Sequence, residues 1–229
     1  MIIKGLQKLT LLDFPGIMAC TVFTGGCNFR CPFCHNASLV THIDDETVSE
    51  EEIFELLDKR TSILQGVCIT GGEPTLQPGL YEFIGKIKEK GYKVKLDTNG
   101  YRPEVLKKLV EDNMVDYVAM DIKNSKEKYG LTVGIKDFDI TPIEESVEFL
   151  KKGKVDFEFR TTIVKEFHEA QDIVAIGEWL RGTKKYFLQG YIDSGDCIEN
   201  GFEAREKAEM ERFLSLVTPY IPDAQLRGV

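Results

Sequence analysis

The chain has 229 residues, 42% of them apolar, a formal net charge of −9 and six cysteines. That length fits one large domain or two small ones, and an acidic balance with no Lys/Arg-rich run argues against nucleic-acid binding, where a basic patch is expected. Residues 1–8 carry no signal-peptide pattern, no apolar stretch approaches membrane-spanning length, and the cysteines are too sparse for a disulfide scaffold, so a reducing, cytoplasmic setting is expected.

Residues 9–16 read Leu9-Thr10-Leu11-Leu12-Asp13-Phe14-Pro15-Gly16, and the Asp-x-Pro-Gly end predicts a turn. The β-prone, mostly apolar run 17–23 predicts a strand buried on both faces. It leads through Thr24-Gly25-Gly26 into Cys27-Asn28-Phe29-Arg30-Cys31-Pro32-Phe33-Cys34-His35-Asn36. Ser49 and Glu52 form a capping box for a helix whose apolar face is Ile53, Phe54, Leu56 and Leu57. Residues 66–70 predict a second strand, ending in Gly71-Gly72-Glu73-Pro74. Pro78 begins a helix to about Lys90, with Leu80, Phe83, Ile84 and Ile87 at helical spacing. A third strand at 92–96 ends in Asp97-Thr98-Asn99-Gly100, and Pro103 starts a helix to about Glu111. A fourth strand at 115–120 ends in Asp121-Ile122-Lys123 and is followed by a polar connection over 124–140. Thr141, Pro142 and Glu144 mark cap, first position and box of the next helix. Strands at 155–162 and about 185–191, with helices around 169–181 and 203–216, complete the series.

Six strands alternating with helices imply βαβ units and a parallel sheet. Right-handed crossovers place the strand C-termini on one edge, where TIM-type barrels carry their sites. Six units are two short of a closed barrel, so the expected fold is α/β: a partial, open (β/α)6 TIM-type barrel with parallel strands. One domain over 1–229 is expected, with an N-terminal segment at 1–16, the barrel core at 17–191 and a C-terminal helix and tail at 192–229.

The three cysteines at C-x3-C-x2-C spacing can converge on one metal centre. An iron–sulfur cube has four irons and normally four thiolates, so three would leave one iron open for chemistry. A structural zinc site is the plain alternative. Zinc wants four ligands, usually from two paired spacings, and no second C-x2-C pair follows. Cys20, Cys68 and Cys197 read as buried free thiols, Trp179 as core, and His42 and His168 as solvated. The Glu/Lys-rich run 203–212 reads as a solvated helix face.

The remaining unusual residues fall at strand ends. Glycines such as Gly71 and Gly72 let backbone approach a ligand, and Glu73 can accept from an ammonium. Asp97, Thr98 and Asp121 offer oxygens suited to a hard cation, and Asn99 follows them in the same strand end. Lys123 shares a face with Asp121 in an extended segment. Arg160, in Arg160-Thr161-Thr162, and Gln189 stand near the ends of the fifth and sixth strands.

These motifs resemble those of the radical S-adenosylmethionine (SAM) superfamily: the cysteine spacing, Phe33 before the last cysteine, and Gly71-Gly72-Glu73 at the second strand end. Within it, Asp13-Phe14-Pro15-Gly16, Cys34-His35-Asn36, Asp97-Thr98-Asn99-Gly100 and Asp121-Ile122-Lys123 resemble the activating enzymes of glycyl radical enzymes, over about residues 9–191. The resemblance implies a [4Fe–4S] cluster on Cys27, Cys31 and Cys34, with SAM on the fourth iron and His35, Asn36, Glu73 and Lys123 lining its site. It implies a monovalent cation on Asp97, Thr98 and Asp121; from their places at strand ends, Arg160 is expected to reach the site and Gln189 to approach the adenosyl group. Reduction by flavodoxin or ferredoxin would cleave SAM to methionine and a 5′-deoxyadenosyl radical, which takes a hydrogen atom from a partner's glycine.

Two departures refine the resemblance. Only 36 residues separate Cys34 from Gly71, with Cys68 the one cysteine among them, so no ferredoxin-like insert and a single cluster are expected. Relatives acting on pyruvate formate-lyase have Asp-Gly-Pro-Gly-Ile-Arg where this chain has Asp13-Phe14-Pro15-Gly16-Ile17-Met18. That difference points to the group that activates anaerobic ribonucleoside-triphosphate reductase. The alternatives are another glycyl radical partner such as pyruvate formate-lyase, a small-molecule substrate as in deazaguanine-forming relatives, or a zinc-stabilised binding module.

Overall fold

The computed structural model describes residues 1–41 and 47–229; His42 lies outside them. The predicted strands appear as β2 (Ala19–Thr24), β3 (Gly66–Gly71), β4 (Lys93–Thr98), β5 (Tyr117–Asp121), β6 (Asp156–Ile163) and β7 (Tyr186–Gly190). Two more flank them: β1 (Ile3–Thr10) and β8 (Gln225–Arg227). The eight-stranded sheet runs in sequence order, with β1 antiparallel to β2 and every later neighbour parallel. The expected six-strand barrel is therefore extended at both ends. β1 alternates poorly because it is an edge strand with Gln7, Lys8 and Leu9 exposed, and three residues of β8 are too short to leave a pattern.

The helices are α1 (Ala37–Thr41), α2 (Glu50–Lys59), α3 (Leu80–Glu89), α4 (Pro103–Glu111), α5 (Tyr129–Val133), α6 (Thr141–Lys151), α7 (Ala170–Trp179) and α8 (Lys207–Val217); the longer ones cover the outer face, while α1 and α5 bond to the segment that carries the cysteines. Ser49 caps α2 by accepting from Glu52 N–H. The expected start at Pro78 shifts: a 3₁₀ turn occupies Pro74–Leu76 and ends at Gln77, and α3 opens after its N-cap Gly79, which has φ 80°. Thr141 is not a cap but the first residue of α6; Ile140 precedes it without a side-chain cap. Asp139 accepts from Thr141 N–H instead. The connection over 124–140 contains α5, stacked through Tyr129 on Phe138.

Strand alternation sorts the side chains between two environments. Ile69, Val94, Leu96, Val118, Met120, Phe159 and Leu188 are fully buried towards the helices. The opposite set includes Thr21, Cys68, Lys95, Asp97, Asp121, Glu158 and Arg160, a polar lining where closed barrels carry branched apolar layers. Phe14 of the Asp-x-Pro-Gly turn is 3% exposed and packs on Tyr117 and Ala19, 6.1 Å from the tyrosine ring. Asp13 accepts from Thr21 Oγ1 at 2.6 Å, which holds that turn against β2.

The end of β3 is stitched to the loop after β2. Gly72 N–H donates to Thr24 O at 2.9 Å and Glu73 N–H to Gly26 O at 2.8 Å. A Cβ on Gly72 would lie 2.0 Å from Gly26 O, and Gly71 has φ 118° with a Cβ position 2.4 Å from Thr24 backbone. Both glycines are therefore required by chain–chain approach. Gly72→Ala should destabilise the protein by about 2 kcal/mol or more, in the range of overpacking. Gly85→Ala, inside α3 where a Cβ meets only Met114 Cε at 3.5 Å, should be neutral or stabilising by about 0.5–1 kcal/mol. Chemical denaturation of the two variants checks the contrast.

Candidate functional site

The C-terminal ends of the parallel strands open on one cavity of about 480 Å³, a size that accommodates a cofactor-sized molecule. Every site residue expected from the sequence lines it: Cys27, Cys31, Phe33, Cys34, His35, Asn36, Gly71, Gly72, Glu73, Asp97, Thr98, Asn99, Asp121, Lys123, Arg160 and Gln189. Thr70 and Thr162 line it as well, each two residues along a strand from a neighbour on the same face. Phe29, Val40 and Gly190 line it too, and Ile192, Ser194, Arg227 and Gly228 complete the mouth. These four were missed because 192–229 carries no motif, although Arg227 is placed by pairing of β8 with β7.

The cysteine loop is held from several sides. Arg30 N–H donates to Val133 O at 2.9 Å, and its guanidinium donates to Cys27 O and Phe29 O. Gly134 lies so close that a Cβ would stand 2.3 Å from Arg30 O. Phe29 packs edge-on against Tyr101 and Phe138, and Phe33 against Phe167, Tyr191 and Phe202. Burial pushes the Cys27 thiol up to about 12, with Glu73 adding to it, and pushes Cys31 up to about 11. A ligand that needs thiolates must therefore supply positive charge. Among the described residues, no group of three His, Cys, Asp or Glu side chains is placed to hold a single metal ion.

The donor set fits an iron–sulfur cube. Cys27 Sγ already accepts from Phe29 N–H at 3.4 Å and Asn99 Nδ2 at 3.8 Å. Beside it, Asn28 Nδ2 is buried without a hydrogen-bond partner. Sulfur atoms of a cluster take such donors, and those bonds tune its potential.

Glu73 is fully buried and serves as a strut. Its Oε1 accepts from Thr75 N–H at 3.1 Å, Thr75 Oγ1 at 2.5 Å and Thr98 Oγ1 at 2.7 Å; its Oε2 accepts from Asn99 N–H at 2.6 Å. The carboxylate expected to meet a ligand's ammonium lines the cavity and also ties the end of β3 to the end of β4. Burial raises its pKa, and those four donors oppose the rise.

The oxygens expected to hold a hard cation are also paired within the chain. Arg160 bridges two carboxylates, reaching Asp97 Oδ2 at 3.1 Å and Asp121 Oδ1 at 2.9 Å. Lys123 Nζ donates to Asp121 Oδ2 at 2.9 Å, and Lys95, almost fully buried, pairs with Asp97 Oδ1. Thr98 Oγ1 is turned to Glu73. Burial opposes ionisation of Asp121, but Arg160 and Lys123 outweigh it and hold the carboxyl well below the usual range. Burial likewise opposes the Lys123 charge, and Asp121 restores it.

His168 is fully buried, against the expectation of a solvated ring. Its Nδ1 accepts from Val164 N–H at 3.1 Å, which leaves Nε2–H to donate to Lys123 O at 2.8 Å. Burial lowers its pKa and keeps the imidazole neutral, so it positions the Lys123 backbone. Trp179 is half-buried, edge-on to Tyr129 and under the Lys126 ammonium. Cys20 and Cys68 are buried free thiols, and Cys197 is half-buried, 3.2 Å from Tyr191 Oη.

Comparison with known proteins agrees with this geometry. The family model of the Radical SAM superfamily matches residues 21–180. The chain is 31% identical over 237 residues to a Methanocaldococcus jannaschii protein named "Putative glycyl-radical enzyme activating enzyme", covering 100% of this chain and 96% of that one. It is 31% identical over 157 residues to the 7-carboxy-7-deazaguanine synthase of Koribacter versatilis, covering 67% and 65%. Among solved structures, Streptococcus suis SuiB bound to its precursor peptide SuiA superposes with a TM-score of 0.71 at 14% identity, covering 91% of this chain and 48% of that one, a likeness of fold. No helix among the described residues is long and apolar enough to cross a membrane.

The strut assignment for Glu73 makes a direct prediction. Glu73→Gln replaces one acceptor oxygen by an amide donor facing N–H or hydroxyl donors, which should cost about 1–3 kcal/mol. Thermal unfolding of the ligand-free variant should show that loss. Unaltered stability together with weakened SAM binding would instead place the carboxylate on the ligand.

Proposed function

The chain belongs to the radical SAM superfamily, and from that premise we propose that it is the activating enzyme of a glycyl radical enzyme, with anaerobic ribonucleoside-triphosphate reductase as the favoured partner. The observation that carries this reading is the convergence of Cys27, Cys31 and Cys34 with Asp97, Asp121, Lys123 and Arg160 in one cavity at the strand ends. Full-length similarity to a protein named as such an activating enzyme supports the reaction class. Phe14 and Met18, where pyruvate formate-lyase activators carry Gly and Arg, favour the reductase as partner.

In this reading Cys27, Cys31 and Cys34 hold a single [4Fe–4S] cluster, and the residues around Asn36, Thr98, Lys123, Arg160 and Gln189 receive SAM. When bound, cluster and SAM supply one-electron chemistry that removes a hydrogen atom from the partner's glycine. The chain's own part is placement and shielding. Phe29 and Phe33 exclude water from the two flanks of the cysteine loop, while Asn28 and Asn99 offer donors to sulfur. Lys123 and Arg160 supply fixed positive charge for the SAM carboxylate. The monovalent cation of this scheme binds at Asp97, Thr98 and Asp121, where it would share the two carboxylates with Arg160. Flavodoxin or ferredoxin is the external reductant of this scheme.

A small-molecule substrate is the second reading, favoured by the similarity to a deazaguanine synthase over two thirds of the chain. Anaerobic incubation of reconstituted protein with SAM, reduced flavodoxin and the reductase separates the two. The proposal expects a glycyl radical EPR doublet on the reductase and 5′-deoxyadenosine in matching amount. SAM cleavage without a doublet on any glycyl radical enzyme would favour the small molecule, and no cleavage at all would reject both.

A further inference from the structure

Lys95 and Asp97 stand two residues apart in β4, so both side chains turn inward. Lys95 is 1% exposed, and a lysine is almost never buried so far unless it is paired. Its ammonium donates to Asp97 Oδ1 and lies 3.9 Å from Sγ of Cys68, its register neighbour on β3. Burial pushes the Cys68 thiol well above its ordinary range and keeps it neutral. Asp97 is therefore the one carboxylate paired with Lys95 among the described residues. Lys95 does not itself line the cavity, whereas Asp97 does.

The linked charges are unequal in number. Asp97 turns Oδ1 to Lys95 and Oδ2 to Arg160, and Asp121 turns Oδ1 to Arg160 and Oδ2 to Lys123. Each carboxylate oxygen thus faces a cationic nitrogen of the chain. Three cations, Lys95, Arg160 and Lys123, stand against two carboxylates, which leaves one positive charge in surplus. Glu158, on the same inner face, is matched separately by Arg227. A carboxylate that arrives beside Lys123 or Arg160 makes the linked group neutral. Without Lys95 the count would be two against two. The same carboxylate would then bring a net negative charge into a buried site, and a further cation would be needed to offset it.

Resting on the reading that this cavity receives SAM, we propose that Lys95 is a resident counterion: its ammonium supplies at Asp97 the positive charge that an added monovalent cation would supply. SAM therefore binds with nearly full affinity in the absence of small monovalent cations, and one that joins Asp97, Thr98 and Asp121 adds little. Lys95 acts through Asp97, as a positioning residue.

The test is equilibrium dialysis of labelled SAM against the cluster-loaded protein, in tetramethylammonium chloride and in potassium chloride of equal ionic strength. The dissociation constants of the unmodified protein should agree within about twofold, whereas Lys95→Met should bind about tenfold more weakly in tetramethylammonium and recover most of that loss in potassium. Methionine keeps an unbranched, adaptable side chain in the buried position while removing the charge. A gain of about tenfold for the unmodified protein in potassium would overturn the inference, as would a Lys95→Met protein whose affinity is the same in both salts. The comparison of salts on the unmodified protein decides even where Lys95→Met does not fold. Absence of SAM binding to the unmodified protein in either salt would remove the SAM reading itself, and the inference with it.

Discussion

The site depends on a close backbone approach between two strand ends. Gly72 and Glu73 donate to Thr24 and Gly26, the residues that deliver β2 into the cysteine loop. Without side chains at Gly71 and Gly72 the two segments come near enough for those bonds. The Glu73 side chain then carries the connection onward to Thr98 at the end of β4 and to Asn99 just beyond it. Three consecutive strands are thus locked at the edge where the thiols lie, and Asn99 reaches back to Cys27 and to Asn28, at 2.8 Å from its Oδ1. The segment read as ligand-binding is first a structural joint, and any ligand is bound against a preset frame.

Below that frame the barrel is polar. Lys95, Asp97, Arg160, Asp121 and Lys123 form an alternating chain of charges leading towards the cysteines. Buried ion pairs of this kind add little net stability, because desolvation offsets attraction. They do leave cationic groups poised on the cavity wall that a carboxylate-bearing ligand can engage by exchange of partners. The lining is tolerated because its charges are paired with one another, and Phe14 packs on Tyr117 and Ala19.

Much of this was legible in the chain, because β2, β3 and β5 are short, mostly apolar runs, β4 and β6 alternate apolar with polar residues, and the residues that follow them are unlike their surroundings. The cysteine loop and the strand-end motifs were found in that way, and all of them meet in one cavity. What escaped has physical reasons. β1 is an edge strand with one side in solvent, and β8 is too short to show a period. His168 has no motif because its partners are backbone atoms of Val164 and Lys123. The segment 191–199 carries polar residues that resemble any loop until its hydrogen bonds to residues 32–38 are seen.

The central claim is that three thiolates hold a cube whose fourth iron takes SAM. EPR of the anaerobically reconstituted, reduced protein, recorded with and without SAM, tests it most directly. The account predicts a [4Fe–4S]⁺ signal whose g-values shift when SAM is added. A protein that assembles no cluster, or a cluster signal indifferent to SAM, would contradict it.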